Sequence, residues 1–339
     1  MHPLEKKFYA LVQKEGLVQT GDTVVVGFSG GPDSTALLYL LTGLQSIISI
    51  RLVAVHVNHG LRPALETTAE EEFVVNVCRR LGIEIVVRRL RVERLARVQR
   101  TGIEDAARTC RHAALRETAK RVGATRIALG HTADDQAEEL LLRLLRGCGR
   151  SGLAGMALIH EGTLIRPLLS FRKQELLAFL DDRNIPWCQD SSNTDLRFLR
   201  NRIRHDLLPR LAADYNPNIT ETLVRTAAIL RDEEALLAQL TDAAAKDILQ
   251  KRPQEKDTRI LDIRQLRSVP PAIGRRVVER ALIEVGCPPR FEYVEAIRTL
   301  ADKPAGKRLH LPRGLRVFRE QDAIILRRPL GRCRKRGDL

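Results

Sequence analysis

Aromatic side chains are scarce in this chain: eight Phe, four Tyr and one Trp make up 4% of 339 residues. A protein that holds single strands by stacking bases on rings needs more, which excludes broad stacking as its way of binding nucleic acid. Cysteine is sparse too. The six, at positions 78, 110, 148, 188, 287 and 333, form no C-x-x-C pair and no His/Cys ligand spacing. A zinc site, an iron–sulfur cluster and a disulfide framework are all without support, and reduced thiols are expected. No apolar run approaches the ~20 residues that cross a bilayer. The start, Met1-His2-Pro3-Leu4-Glu5-Lys6-Lys7, leads into a charged amphipathic helix rather than the apolar stretch of a secretory signal. A cytoplasmic location with no membrane partner is the expectation; the oligomeric state stays open.

Acidic side chains fall short of basic ones, 42 against 57, for a formal net charge of +15. With a pI near 10.1, that excess asks for a polyanionic partner, and RNA suits the motifs below better than DNA or a membrane.

The most informative stretch is Ser29-Gly30-Gly31-Pro32-Asp33-Ser34. It follows the apolar run Val24–Phe28 and opens the helical pattern Thr35–Leu41, so a buried strand ends in a glycine turn and a helix begins at once. Helix N-termini present unpaired N–H groups and partial positive charge, and glycines let backbone approach phosphate oxygens closely. Ser29 and Ser34 add hydroxyls. The Gly-Lys-Ser/Thr ending of a Walker loop is missing. Asp33 is an anion beside the expected phosphates, which requires a cation between them and points to a magnesium–nucleotide site.

Strand and helix patterns alternate over the first two hundred residues: strands near 24–28, 50–57, 83–87 and 126–130, helices near 67–81, 103–122 and 134–146. This predicts an α/β fold, a Rossmann-like parallel sheet with helices on both faces and ligands at the carboxyl ends of its strands. The expected division is a catalytic domain over 1–215 and a mostly helical C-terminal region over 216–339. The latter has short strands near 308–328, a polar linker at 251–257 and a basic tail at 327–336.

Further candidates sit at the same sheet edge. Gly130-His131-Thr132-Ala133-Asp134-Asp135-Gln136-Ala137-Glu138 follows a strand and opens a helix, with Asp134 and Glu138 four apart on one face. Acids there can hold magnesium, position a basic nucleophile or favour the helix dipole. Asn58-His59-Gly60-Leu61-Arg62 closes another strand, and Arg108 and Arg111 share a helix. Gly147–Gly152 fits G-x-G-x-x-G but follows a helix, so it reads as a flexible loop. Arg197, Arg200, Arg202, Arg204 and His205 form a cationic field suited to phosphates.

The glycine turn resembles the PP-loop of the ATP pyrophosphatases, which cleave ATP between its α and β phosphates. Together with His56–Arg62, Gly130–Glu138, Arg146–Met156, Arg166–Leu169, Asp190–Asn193 and Arg200–Arg204, in that order, the chain over about 20–215 resembles the tRNA(Ile)-lysidine synthases. Two positions depart from that pattern: Glu139 stands where Thr is usual, and His112 where an aromatic is common. The resemblance implies ATP and Mg²⁺ as cofactors, with L-lysine and tRNA(Ile) bearing a CAU anticodon as partners. The wobble cytidine would be adenylated and lysine joined to its C2, giving lysidine, AMP and pyrophosphate. It further implies ATP contacts at Ser29, Gly30, Gly31, Pro32, Asp33, Ser34 and His131. Magnesium would be at Asp33, and Asp33, Asp134 and Asp135 would be catalytic. Substrate or tRNA contacts would fall at Arg108, Glu138, Arg200, Asn201 and Arg204, and the mainly helical region over 216–339 with its basic tail would bind tRNA. Two rivals are a thiolase-type PP-loop enzyme, whose usual cysteine pairs are missing, and a non-catalytic tRNA-binding protein.

Overall fold

The computed structural model describes residues 1–60, 64–90, 92–99, 102–188, 198–251 and 257–328. The chain divides into two compact units, Met1–Arg231 and Asp232–Leu339.

The first unit alternates as its sequence pattern predicts. Helix α1 (Pro3–Lys14) precedes β1 (Thr23–Gly27), α2 (Pro32–Leu44), β2 (Arg51–Asn58), α3 (Ala64–Leu81) and β3 (Glu84–Arg89). There follow α4 (Val92–Gln99), α5 (Ile103–Val122), β4 (Arg126–Ala128), α6 (Ala133–Leu145), α7 (Arg150–Leu153), β5 (Ile159–His160), β6 (Leu164–Ile165) and α8 (Lys173–Asp182). The sheet order is β3-β2-β1-β4-β6-β5, with every pairing parallel except that of β5 with β6. Side chains alternate across a strand, so Val24 and Val26 of β1 pack with Leu52 and Ala54 of β2 against α1, α2, α3 and α8. Val25, Val53 and Val55 turn the other way and meet Leu115 and Ala119 of α5. Both faces are therefore covered, and the near-continuous apolar strands follow from that.

The unit continues in a helical run: α9 (Leu199–Arg202), a π-turn over Ile203–Leu207, and α10 (Leu208–Asp214). The region read as a loop around Gly147–Gly152 contains a single helical turn, α7, because Gly152 and Leu153 donate back to the Gly149 carbonyl at 3.0 and 3.3 Å.

Helix α11 (Ile219–Ile248) leads on to β7 (Leu249–Lys251), β8 (Thr258–Asp262), α12 (Ile263–Ser268), α13 (Pro271–Glu284) and α14 (Phe291–Leu300). Strands β9 (Arg308–His310), β10 (Arg316–Arg319) and β11 (Ala323–Arg327) follow. In the second unit these strands form an antiparallel sheet in the order β7-β8-β11-β10-β9. One of its faces supplies Leu261, Val317, Ile324 and Leu326 to a core completed by Val277, Leu282, Val294 and Ile297 of the helices. The sheet thus takes in 249–251 and 258–262 as well as the short strands expected near 308–328. No helix among the described residues is long and apolar enough to cross a membrane.

Phe8 of α1 is wholly buried and lies 6.2 Å from the Phe171 ring. Phe8→Ala is expected to lower stability by about 3–5 kcal/mol through lost burial and the cavity left behind, read as a fall in the urea midpoint.

Candidate active site

Strand β1 lies between β2 and β4, so crossovers leave it in opposite directions and a crevice opens at its carboxyl end. The glycine turn follows β1 there, and Leu129–Thr132 follows β4. Gly30 takes φ +87°, a left-handed conformation that glycine adopts without strain. The Gly30 carbonyl accepts from the Cys188 amide at 2.8 Å and the Thr35 hydroxyl at 3.2 Å. Ser34 Oγ donates to the Gly31 carbonyl at 3.0 Å, stands 3.0 Å from Ser29 Oγ, and accepts from the Ser29 amide at 3.2 Å. Gly31 caps α2 without a side chain and Pro32 opens it. The first-turn amides therefore have no side-chain partner and suit an anion.

The ends of β1 and β4 touch through Gly130. A Cβ at Gly130 would lie 3.1 Å from the Asp33 carbonyl carbon and oxygen and 3.2 Å from the Ser34 amide nitrogen. Glycine is required for the second strand end to lie against the start of α2.

At the end of β2, Asn58 accepts from the Gly60 amide at 2.9 Å and donates to Glu71 at 2.8 Å. Arg89 Nε reaches both Glu71 oxygens, at 3.0 and 3.1 Å. The Arg89 hydrogen bonds hold the Glu71 carboxyl down at about 2.

Helix α6 begins with Thr132 and Asp135 capping each other: the Thr132 amide donates to Asp135 Oδ2 at 2.9 Å and the Asp135 amide to Thr132 Oγ1 at 3.3 Å. Asp134 reaches α8 instead, accepting from the Lys173 amide at 2.7 Å and Arg172 Nε at 3.2 Å. Arg172 is also paired with Glu221. Glu138, 1% exposed, accepts from Arg204 Nε at 2.5 Å and Nη2 at 2.9 Å and from Arg200 Nε at 3.2 Å. Arg204 also donates to Asp135 Oδ1 at 2.9 Å. Burial pushes the Glu138 carboxyl up despite these partners. Burial works against charge on Asp135 as well, but His131, Arg200, Arg204 and the Thr132 amide more than offset it and its carboxyl sits below the ordinary range.

Asp33, Thr132, Asp134, Glu138, Arg172, Lys173 and Arg204 line one cleft of about 330 Å³. Burial raises the Asp33 carboxyl to about 6, with Lys173 pulling the other way. Its Oδ1 is buried without a hydrogen-bond partner, and so is His131 Nδ1; burial lowers the His131 pKa to about 4, which leaves the ring neutral at pH 7. An unpartnered carboxylate oxygen fits one ligand of a magnesium ion that takes its remaining oxygens from phosphate and water. Asp134 and Asp135 already have partners on both oxygens. Among the described residues no group of three or more His, Cys, Asp or Glu stands together as a metal cluster, and the described cysteines are free thiols.

The structure thus brings Asp33 of the glycine turn, Asp134, Glu138 and Arg204 to one cleft, and gathers Asp135 and Arg200 around Glu138. Asn201 is half-buried on α9, and Arg108 is exposed on α5. Leu61, Arg62, Asp190–Asn193, Arg197 and the tail over 329–339 lie outside the described residues. Arg172 and Lys173 were not singled out by the sequence reading. Their signal is a basic pair shortly after Arg166–Leu169. Glu139, at the position that departs from the family pattern, is buried and finds Arg143 at 2.7 Å and Arg200 at 3.7 Å.

A family model described as the PP-loop domain matches residues 1–211. The tRNA(Ile)-lysidine synthase of Geobacter sulfurreducens is 40% identical over 329 residues, 95% of this chain and 69% of that one. That of Solibacter usitatus is 36% identical over 92% of this chain and 69% of its own. That of Clostridioides difficile is 30% identical over 94% and 70%. Among solved structures, the U34-tRNA thiolase NcsA of Methanococcus maripaludis with its 4Fe-4S cluster superposes with a TM-score of 0.57 at 21% identity. That match covers 67% of this chain and 79% of NcsA, a likeness of fold.

Two expectations test the geometry. Gly130→Ala is expected to cost about 1–3 kcal/mol, because backbone on both sides must shift, and to weaken ATP binding measured by titration calorimetry. Glu71 has its folded pKa depressed, so its contribution is present above about pH 4.5 and lost as pH falls through about 2. Glu71→Gln is expected to destabilise by about 1–2 kcal/mol at pH 7, discounted for the exposed Arg89 partner. The gap should close as urea midpoints are followed down to pH 2.

Proposed function

The chain belongs to the tRNA(Ile)-lysidine synthase family, and we propose from that premise how its cleft carries out ATP-dependent modification of the tRNA wobble base. The observation that carries the reading is Asp33, on the glycine turn, sharing one cleft with Asp134, Glu138, Lys173 and Arg204. The triphosphate lies along the amides of Ser29–Ser34 with its charge met by Lys173 and Arg204. Cytidine O2 attacks the α phosphorus, and pyrophosphate leaves. The ε-amine of free lysine then attacks C2; the C2–O2 bond breaks, AMP carries the oxygen away, and the amine gives up a proton. Adenylation is needed because O2 is a poor leaving group until it is part of a phosphate ester.

Asp33 Oδ1 is the atom assigned to hold magnesium. The metal would supply charge neutralisation on the phosphates. The lysine ammonium is assigned to Asp134 and Glu138. Three acids and three bases line the cleft, so it is balanced while Lys173 and Arg204 face those acids. Once phosphate draws the two cations away, the carboxylates have charge to spare for an ammonium, which favours ATP entering before lysine. Both steps belong in the cytoplasm, where ATP, lysine and tRNA meet.

The test is to incubate the protein with ATP, magnesium, labelled lysine and a CAU-anticodon isoleucine tRNA transcript, then digest to nucleosides. An alkali-stable lysine–cytidine adduct is expected, reduced at least about 100-fold in Asp33→Ala. Adduct formation untouched by Asp33→Ala would remove that residue from the chemistry. AMP release without lysine transfer would assign the cleft to another acceptor.

A further inference from the structure

Helix α6 carries more acid on one face than a helix tolerates by itself. Glu138 and Glu139 stand three and four residues after Asp135, so the three share a face, and like charges at that spacing repel. One side chain answers all three. Arg200 Nε lies 3.2 Å from Glu138, Nη2 3.7 Å from Asp135 and Nη1 3.7 Å from Glu139. A planar guanidinium can face several carboxylates at once in this way. Arg204, four residues on, meets two of the same acids, Asp135 and Glu138.

The two arginines differ in what holds them. Arg204 lines the same cleft as Asp33 and Lys173, whereas Glu139 adds a third carboxylate to Arg200. Glu139 is 6% exposed and is itself fixed. It accepts from Arg143 Nε at 2.7 Å, and Arg143 Nη1 donates to the Gly152 carbonyl at 2.9 Å. Arg200 is therefore tied, through Glu139 and Arg143, to backbone beyond the end of α6. Glu139 stands where the family pattern has Thr, so the tie belongs to this chain rather than to the family.

We infer that Glu139 is a positioning residue for lysine: it keeps Arg200 on Glu138 when Arg204 turns to the triphosphate. The inference rests on the proposed reaction, in which phosphate draws Arg204 away and the lysine ammonium meets Glu138. Arg204 gives Glu138 its hydrogen bonds at 2.5 and 2.9 Å. With those gone, the Arg200 bond at 3.2 Å remains among the described residues. Glu138 is 1% exposed, and so enclosed a carboxyl stays ionised only with a cation beside it. An ammonium needs the ionised form. Arg200 has the same electrostatic reason as Arg204 to turn to phosphate, and the charge of Glu139 opposes that.

The experiment measures how adduct formation by the full chain depends on lysine and on ATP, at saturating tRNA, for wild type, Glu139→Thr and Glu139→Gln. Glu139→Thr is expected to raise the lysine KM about fivefold with kcat within about twofold. The ATP KM should not rise, since a freed Arg200 adds to the charge facing phosphate. Damage to folding lowers the active fraction, and so kcat, without choosing lysine over ATP. Glu139→Gln keeps the size and one acceptor and is expected to raise the lysine KM by about twofold; it carries the test where the threonine variant folds poorly. Arg200→Lys keeps the charge but not the fork. In that background Glu139→Thr is expected to change the lysine KM by less than about twofold, because its effect passes through Arg200. An unchanged lysine KM in both Glu139 variants, an equal rise in the ATP KM, or a full effect persisting beside Arg200→Lys would overturn the positioning role and leave the proposed reaction standing. A wild-type protein that forms no lysine adduct would remove the reaction and this role together.

Discussion

A buried carboxylate on α6 constrains everything around it. Glu138 is almost wholly enclosed, and an enclosed carboxylate without a partner costs several kcal/mol. Arg204 and Arg200 supply the partners from a segment more than sixty residues further along. The same contact has an apolar side, where Leu141 and Leu142 of α6 pack on Ile203 with Leu199, Leu207, Leu208 and Leu211 around them. The run after Phe198 therefore has to lie across α6 in one register. The π-turn at Ile203–Leu207 sits where the two guanidiniums must converge. Asp135 and Asp134 are placed by the same helix: one caps its own N-terminus and the other caps α8.

That arrangement changes how the charged motifs are understood. Taken separately along the chain, the acids after His131 suit a cation and the arginines near 200 suit a phosphate. Folded, they neutralise one another, and a ligand of either sign has to compete with a hydrogen-bonded ion pair. Asp33 is the exception, since burial keeps its carboxyl near 6 and leaves one oxygen unpartnered. The side chain that faces unfinished chemistry is the one on the phosphate turn, and the others form a balanced wall around it.

Most of this architecture was legible in the sequence because its signals are long or chemically unusual. Helix α5 was readable to its ends, for twenty residues carry a clear period and Gly123 stops it in a left-handed conformation. The strand ends at Phe28, Asn58 and Gly130 were visible as apolar runs breaking into glycine and polar residues. Helix α4, eight residues long, and the two-residue strands β5 and β6 are too short to carry a period. Strand β8 was hidden because it takes its partners from β7 and β11 rather than from an alternating pattern of its own. Within the cleft, Lys173 could not be read out. Only the fold brings the start of α8 opposite Asp33, and a basic residue opening a helix otherwise looks solvated. Glu139 was visible as a departure, but its compensation by Arg143 and Arg200 depends on where α6 is buried.

The balance inside the cleft bears on where the protein's excess charge acts. With three acids, Asp33 among them, set against three bases, the cleft is close to neutral, while the chain as a whole carries +15. The excess therefore lies outside the cleft. Buried pairs are screened by salt much less than exposed ones, since mobile ions cannot reach between them. The geometry at the strand ends is set by packing, by Gly130 against the start of α2, and by partly buried ion pairs.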